Sequence, residues 1–486
     1  MHEVNFVKSI WSETVQIEGR PSLTSDISVE VAVIGAGMAG ILTALLLKEQ
    51  GIQTIVLEAD RIGSGQTKNT TAKITAQHNL IYDRLIKDMG VRKARQYAQA
   101  NMQAIEEYRR IITQYKIDCH FSDCPAYLYT KENPDAVRQE AEAAGSLGID
   151  AIFTTETTLP FSIKGAVKFN NQAVFHPLEF LKAVAQDLTV FEHTKVKHLD
   201  GDKIITENAS VTAKHIVFAT HFPFVNVPGY YFAKMHQGRS YVLALETSAM
   251  LDGAYLGMDS DSLSLRQVGD MILLGGGGHR TGENYIGGKY QMLRSKAKEF
   301  WPQSREVACW SAQDCMTPDS VPYIGRYSRS RPNWYVCTGF GKWGMSSSMV
   351  AATLISNSII GQRHPCSPVF SPQRHITPPA AKSIMKNGLE AAKGLGRGVF
   401  AVPKENIDNF PNGHGGIVEY GGEKYGVYKD EDGQCYIVEV RCPHMGCQLE
   451  WNPDELSWDC PCHGSRFDYR GKLIDNPAQE DLACAE

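Results

Sequence analysis

The densest chemistry in the chain lies near its C-terminal end, where residues 442–467 read CPHMGCQLEWNPDELSWDCPCHGSRF. Cysteines and histidines fall there in two boxes, Cys-x-His-x2-Cys and Cys-x-Cys-His. Thiolates and imidazoles are the side chains that hold soft and borderline transition metals. Structural zinc sites space their ligand pairs by two or more residues along a knuckle, a geometry that Cys-x-His does not suit. Of the 12 cysteines, four crowd between Cys442 and Cys462 while five are scattered over residues 119–337, so the crowding marks a site and not a disulfide scaffold.

A second chemical signature opens the chain. Residues 29–40 read VEVAVIGAGMAG, an apolar run of strand length entering Gly35, Gly37 and Gly40, and a helix-forming segment ILTALLLKEQG follows, which reads as amphipathic. Strand, glycine turn and helix in this order place backbone N–H groups and the positive end of a helix dipole where a pyrophosphate can sit. A second strand, QTIVLEAD, ends in Glu58, 18 residues after Gly40, where an acid accepts both ribose hydroxyls. The combination predicts dinucleotide binding.

These sites must be carried by two kinds of scaffold. From about Ile27 to Gly361, apolar strand-like runs alternate with helical patterns, the sign of a parallel sheet covered by helices. Pro365, Pro368, Pro372, Pro378 and Pro379 then interrupt the chain, so residues 363–398 are expected to be a proline-rich linker with a short helix, SIMKNGLEAAKGLG. Residues 399–486 show short strands separated by Gly and Asp turns, predicting a small antiparallel domain. This last part carries a net charge of −10 against +5 for the rest, which would let the two dock electrostatically.

The N-terminal region resembles the D-amino-acid-oxidase-like family of FAD enzymes. The likeness rests on RIGSGQTKNTTAK, QAVFHPLEFLKAVA, HTKVKHL, HIVFATHFP, DCMTPDSVPYIG and CTGFGKWGMSSSMVAATLI, and spans about residues 27–362. It implies an α/β Rossmann-like FAD domain (about 27–80, 166–225 and 311–362) with an inserted α+β substrate domain (about 80–165 and 226–310). It implies too that the Val196 backbone meets the adenine, and that Gly339, Gly341 and Gly344 lead into a helix whose N-terminus faces the flavin pyrimidine and stabilises charge on the reduced ring. Two departures bear on the reaction. Where amino-acid-oxidising relatives place a carboxylate-clamping Arg, this chain has Asp314, which would favour a cationic amine unless Arg239 or Arg266 does the clamping. Where sarcosine-oxidase-like relatives place a Lys over the flavin, the strand MILLGGGGHRTG has none, so poor reaction with dioxygen is expected. Trp343 and His279 complete the candidate substrate pocket. His279 and His176 are candidate bases, though neither is assigned the role. Cys315 stands near the place where some relatives attach flavin covalently, but its offset from Asp319 is too short.

The C-terminal boxes resemble a Rieske [2Fe-2S] domain. In such a centre two thiolates hold one iron and two imidazoles the other, which implies Cys442 and Cys460 on the first and His444 and His463 on the second. The likeness to cytochrome-complex members implies a Cys447–Cys462 disulfide. Ser465 takes the place of the hydroxyl that bonds a bridging sulfide, and Phe467 stands where high-potential members have Tyr, so a lower potential is expected. His444 and His463 are expected at the surface, where the tip could face the flavin, face an external acceptor, or swing between them on the linker.

The two resemblances together imply an FAD-dependent oxidoreductase that oxidises a C–N bond of an amine or amino-acid-like substrate and passes electrons singly through the cluster to an external protein acceptor. The alternatives are an oxygenase or demethylase with electrons running from cluster to flavin, and a non-catalytic electron-transfer or redox-sensing module. Composition agrees with a folded enzyme: 43% hydrophobic and 21% charged residues are globular values, and a net charge of −5 disfavours nucleic acid. With neither a membrane-spanning run nor a secretory signal in view, the reading is cytoplasmic.

Overall fold

A computed structural model describes residues 8–400 and 410–484. Its first sheet runs Tyr323–Ser328, Arg331–Thr338, Ser210–Phe218, Ile27–Ile34, Thr54–Leu57, Thr189–Phe191, with the central members parallel. Ile27–Ile34 is buried on both faces along its second half, as parallel strands covered by helices must be. The helix Met38–Glu49 is not amphipathic as expected: every residue from Met38 to Leu47 is buried, because it is packed between this sheet and the helix Gly344–Ile359.

A nine-stranded mixed sheet forms the second layer, with the order Arg305–Met316, His236–Glu246, Met271–Arg280, Ser264–Val268, Ala254–Gly257, Ser122–Thr130, Gly165–Val174, Lys73–Ile74, and with Ala151–Thr154 also pairing with Gly165–Val174. Lys73–Ile74, nearly all of Gly165–Val174 and the end of Arg305–Met316 pair here, although the sequence places them in the dinucleotide part. One hydrophobic core runs continuously from the first sheet into the second, so no change of composition marks the crossing.

The proline-rich segment is not a free tether. Ser367–Phe370 forms a helical turn with Val369 and Phe370 in the core, and Arg374 grips Asp319 with two bonds of 2.7 and 2.8 Å. The helix beyond it starts at Pro378, earlier and longer than expected, and runs to Phe400. Proline is compatible with the first helical turn because an N–H there has no intrahelical partner. The expected domain start at Val399 falls at the end of this helix, and residues 401–409 lie outside the described residues.

The C-terminal domain stacks a three-stranded antiparallel sheet (His414–Tyr420, Glu423–Lys429, Cys435–Glu439) and a four-stranded one (Glu450–Asn452, Ser457–Asp459, Arg466–Asp468, Leu473–Asp475). Trp451 and Trp458, 4.8 Å apart, fill the core between them. Among the described residues no helix is long and apolar enough to cross a membrane.

The Arg374–Asp319 pair, 3% and 12% exposed, ties the segment after the last helix of the dinucleotide domain to that domain. Breaking a buried pair by removing one partner costs about 3–5 kcal/mol. The variant Arg374→Ala is expected to lower the melting temperature of the FAD-binding body by several degrees in calorimetry, and an unchanged transition would show the contact to be energetically idle.

Candidate functional site

The glycine turn is built as the sequence predicts. Gly35 has φ +105°, and a Cβ there would stand 2.5 Å from the Ala219 carbonyl oxygen. At Gly40 a Cβ would stand 1.9 Å from the Gly35 carbonyl oxygen, so helix and strand approach as only glycine permits. Glu58 is held in place by N–H groups of Ala36 (2.7 Å) and Asp60 (2.9 Å), and burial raises its carboxyl against those two bonds. Gly35, Gly37, Glu58, Val196, Gly341, Trp343 and Gly344 all line one cavity of about 1240 Å³ that runs from the glycine turn to the large sheet. Gly40 and Gly339 lie behind its wall, Gly339 with φ +73° against Thr317. A cleft with this glycine cradle, a carboxylate at the ribose position and a helix N-terminus at its far end fits FAD.

On the large-sheet side, Asp314 does line the cavity. Burial raises its carboxyl, while Lys342, His221 and Arg239 nearby and the Lys342 backbone N–H pull it down. The other three pocket candidates are elsewhere. Arg239 is 1% exposed and bonds Gln313, Ser311 and Glu455. Arg266 donates to the carbonyls of Thr71, Ala72 and Phe175. His279 is held by the Arg280 carbonyl and, at 3.0 Å, the Tyr241 hydroxyl. None of the three faces the cavity, because each is already committed to structural partners. His176 caps the helix Pro177–Val184 by accepting from Glu179 N–H. Cys315, next to Asp314, turns the other way into the core.

Sequence reasoning missed three cavity residues. Lys73 lies half-buried at the cavity wall, and burial beside Arg266 pulls its ammonium down to about 7. Lys342 lies beside the glycine strand, which has no lysine of its own: its Nζ lies 3.4 Å from where a Cβ on Gly278 would stand. His78 stacks on Trp343 at 4.7 Å and is driven down to about 3 by burial, so it is neutral at pH 7. A lysine pointing into a cavity has no local sequence signature; only the TAK and GKW contexts beside glycine turns hinted at these positions.

In the C-terminal domain, Cys442 and Cys460 lie side by side. A bond from Cys460 pulls the Cys442 thiol down to about 7 with help from Ser465 and backbone N–H groups, and pushes its own thiol up. The imidazoles of His444 and His463 meet edge to face at 4.9 Å, and each Nδ1 is buried without a hydrogen-bond partner. Two paired thiols opposite two orphaned ring nitrogens fit a [2Fe-2S] cluster held by these four residues. The sulfurs of Cys447, Cys460 and Cys462 also lie within 4.8 Å of one another, but Cys447 and Cys462 are joined in a disulfide, as expected, and are spent as ligands. Ser465 is fully buried and accepts from Ala478 N–H at 3.0 Å; Phe467 is fully buried in the domain core.

The expectation that both histidines lie at the surface is not met. His463 is only 7% exposed, and the Phe232 ring stands edge-on to both imidazoles at 5.7 and 6.3 Å. His444 Nε2 is 3.1 Å from Asn226 Oδ1. The tip therefore faces the FAD-binding body, because that body fills the space that water would otherwise take.

Comparison with known proteins agrees with both halves. Residues 30–358 match the family model for FAD dependent oxidoreductases, and residues 401–486 match that of the Rieske [2Fe-2S] domain. The chain belongs to the FAD-dependent oxidoreductase family. It is 35% identical to the putative Rieske 2Fe-2S iron-sulfur protein YhfW of Bacillus subtilis, covering 98% of this chain and 97% of that one. It is 24% identical to the gamma-glutamylputrescine oxidoreductase of Escherichia coli over 70% of this chain and 85% of the relative. Its fold is shared with the glycine oxidase of Geobacillus kaustophilus, with a TM-score of 0.61 and 17% identity over 72% of this chain and 99% of that structure. The chain is thus an FAD-dependent oxidoreductase with a Rieske iron-sulfur centre.

Phe467, buried in the domain core, stands where the resemblance puts a tyrosine that donates to a cysteine sulfur, and its ring has no hydroxyl to donate. A hydrogen bond worth about 1–1.5 kcal/mol corresponds to roughly 40–60 mV for a one-electron couple. The variant Phe467→Tyr is expected to raise the cluster potential by that amount in an EPR-monitored redox titration; a fall or no change would place the ring away from the sulfurs.

Proposed function

We propose that the enzyme oxidises a C–N bond of an amine or amino-acid-like substrate and hands the electrons one at a time through its iron-sulfur centre to an external protein acceptor. The observation that carries this reading is the inward-facing cluster tip. His444 and His463 are seated on the same body whose cavity suits FAD, with Phe232 between tip and body. Bound FAD supplies a two-electron hydride acceptor and the [2Fe-2S] cluster a one-electron carrier, so their union is a two-to-one converter.

The chain's own groups suit such a substrate. Asp314 is a carboxylate of the large-sheet side and would bind an ammonium or a protonated amine. Lys342, beside it, and Lys73, further along the sheet, offer positive charge to a carboxylate on the same molecule. Neither Arg239 nor Arg266 is free to clamp one, so a lysine takes that part here. His78 is held neutral and stacks on Trp343, so it shapes the wall and carries no charge. The substrate loses a hydride from the carbon next to nitrogen and a proton from nitrogen; the resulting imine is hydrolysed to a carbonyl and a free amine.

The deciding experiment is an anaerobic titration of the purified protein with amines and amino acids, following flavin absorbance and the reduced-cluster EPR signal in one sample. Flavin bleaching followed by the cluster signal is expected. A cluster that charges from reduced ferredoxin and then reduces the flavin, with no substrate able to bleach it, would reverse the direction. Within the accepted substrate class, Asp314→Asn is expected to raise KM about tenfold, equal to ~1.4 kcal/mol, with kcat changed far less. An unchanged KM would remove Asp314 from the pocket.

A further inference from the structure

The FAD cavity is not made by the FAD-binding domain alone. Asp475, Asn476, Ala478, Gln479 and Asp481 of the iron-sulfur domain line it together with Gly35, Glu58, Val196 and Thr220. Each end of this segment is fastened to a different loop of the dinucleotide cleft. Gln66, in the turn after the glycine-rich loop, donates to Asp475 at 2.8 Å. Asn476 donates to the carbonyls of Thr220 and Phe222 at 2.8 and 2.9 Å, just past the strand Ser210–Phe218. Lys195, beside Val196, donates to the Gln479 carbonyl. Three loops that come from distant parts of the sequence are thereby held by one stretch of another domain.

The same stretch is tied to the cluster loops. Ala478 N–H donates to Ser465, and the Gln237 side chain donates to the carbonyls of His463 and Asn476 at 2.8 and 3.0 Å. Gln313 donates to the Gly464 carbonyl at 2.8 Å. Moving the iron-sulfur domain away would therefore withdraw the stretch from the cleft as one piece.

We propose that residues 473–481 of the iron-sulfur domain are a strap that forms part of the FAD-binding site, so that FAD enters or leaves only when that domain lifts off. Retention of FAD then depends on domain docking, and by linkage bound FAD holds the iron-sulfur domain down.

A cross-link at a distance from both cofactors tests this. A Cβ built on Gly287 would lie 3.5 Å from the Pro453 Cβ, within the span of a disulfide, and neither residue lines the cavity. The full-length double variant Gly287→Cys/Pro453→Cys, loaded with FAD and cluster, would be oxidised and diluted, and FAD release followed by the fluorescence of free flavin. Release at least tenfold slower than in the wild type, restored by dithiothreitol, is expected; the wild type treated with the same reductant is the control. The opposite manipulation is Asp454→Ala. Asp454 accepts from Asn284 (2.8 Å) and from the N–H groups of Gly288 and Lys289 (3.0 Å each), so its loss loosens docking away from the cavity. Release about tenfold faster, with the cluster EPR signal retained, is expected. Cross-linked protein that releases FAD at the wild-type rate overturns the proposal, whatever Asp454→Ala does.

Discussion

The arrangement depends on a buried set of charges where the iron-sulfur domain meets the FAD-binding body. Arg239, 1% exposed, reaches across to Glu455 at 2.5 Å, and Glu455 lies 3.3 Å from Arg466, which also pairs with Asp459 and Asp475 at 3.0 Å each. Burial raises the carboxyls of Glu455 and Asp459, but the two guanidinium groups outweigh it and hold both below their ordinary range. Such a network adds little net stability over a well-packed apolar core, while loss of any one member leaves an uncompensated charge. Its effect is to select one docked pose: a shifted domain would bury Arg239 without a carboxylate.

That pose decides how the two redox sites can communicate. A tether that let the domain swing would need a weak, wet interface. Here buried hydrogen bonds cross the interface: Asn284 bonds Asn452 and Asp454, Arg280 bonds the carbonyls of Pro461 and Cys462, and Gln237 bonds the loop that holds His463. The charge asymmetry between the two parts is consistent with docking, yet the specificity comes from few buried contacts and not from the overall field. On the function proposed above, a cluster held with its imidazoles toward the FAD-binding body would exchange electrons with the flavin over a constant distance.

What could be read from the sequence had a local cause. Gly35 and Gly40 are required by backbone approach within a dozen residues, and Cys442, His444, Cys460 and His463 by the spacing that a cluster imposes on two turns. The Cys447–Cys462 bridge and the second large sheet were implied only by the families that these motifs resemble. What could not be read was set by tertiary partners. Arg239 looks in the sequence like any arginine on a strand of a substrate domain; its partner Glu455 is more than two hundred residues away and in another domain. Arg266 and His279 were likewise absorbed by carbonyls and a tyrosine that no pattern reveals. Lys73 was overlooked because its significance is a cavity, and a cavity has no sequence period.

The charges of that cavity constrain what can fill it. Lys73 is pulled to about 7 because it is enclosed without a carboxylate partner, and Asp314 is raised because it is enclosed with only partial compensation from Lys342 and His221. Both groups are therefore more stable when a ligand brings the opposite charge than when the cavity is closed around them alone. A small neutral amine would relieve neither, and a simple cation would relieve Asp314 while worsening the surroundings of Lys73. A molecule bearing an amine and a carboxylate separated by some length relieves both at once, because Asp314 and Ser264, the residue that Lys73 bonds, stand several residues apart along the same sheet. On the function proposed above, the charges of the wall suit a substrate that carries both an amine and a carboxylate.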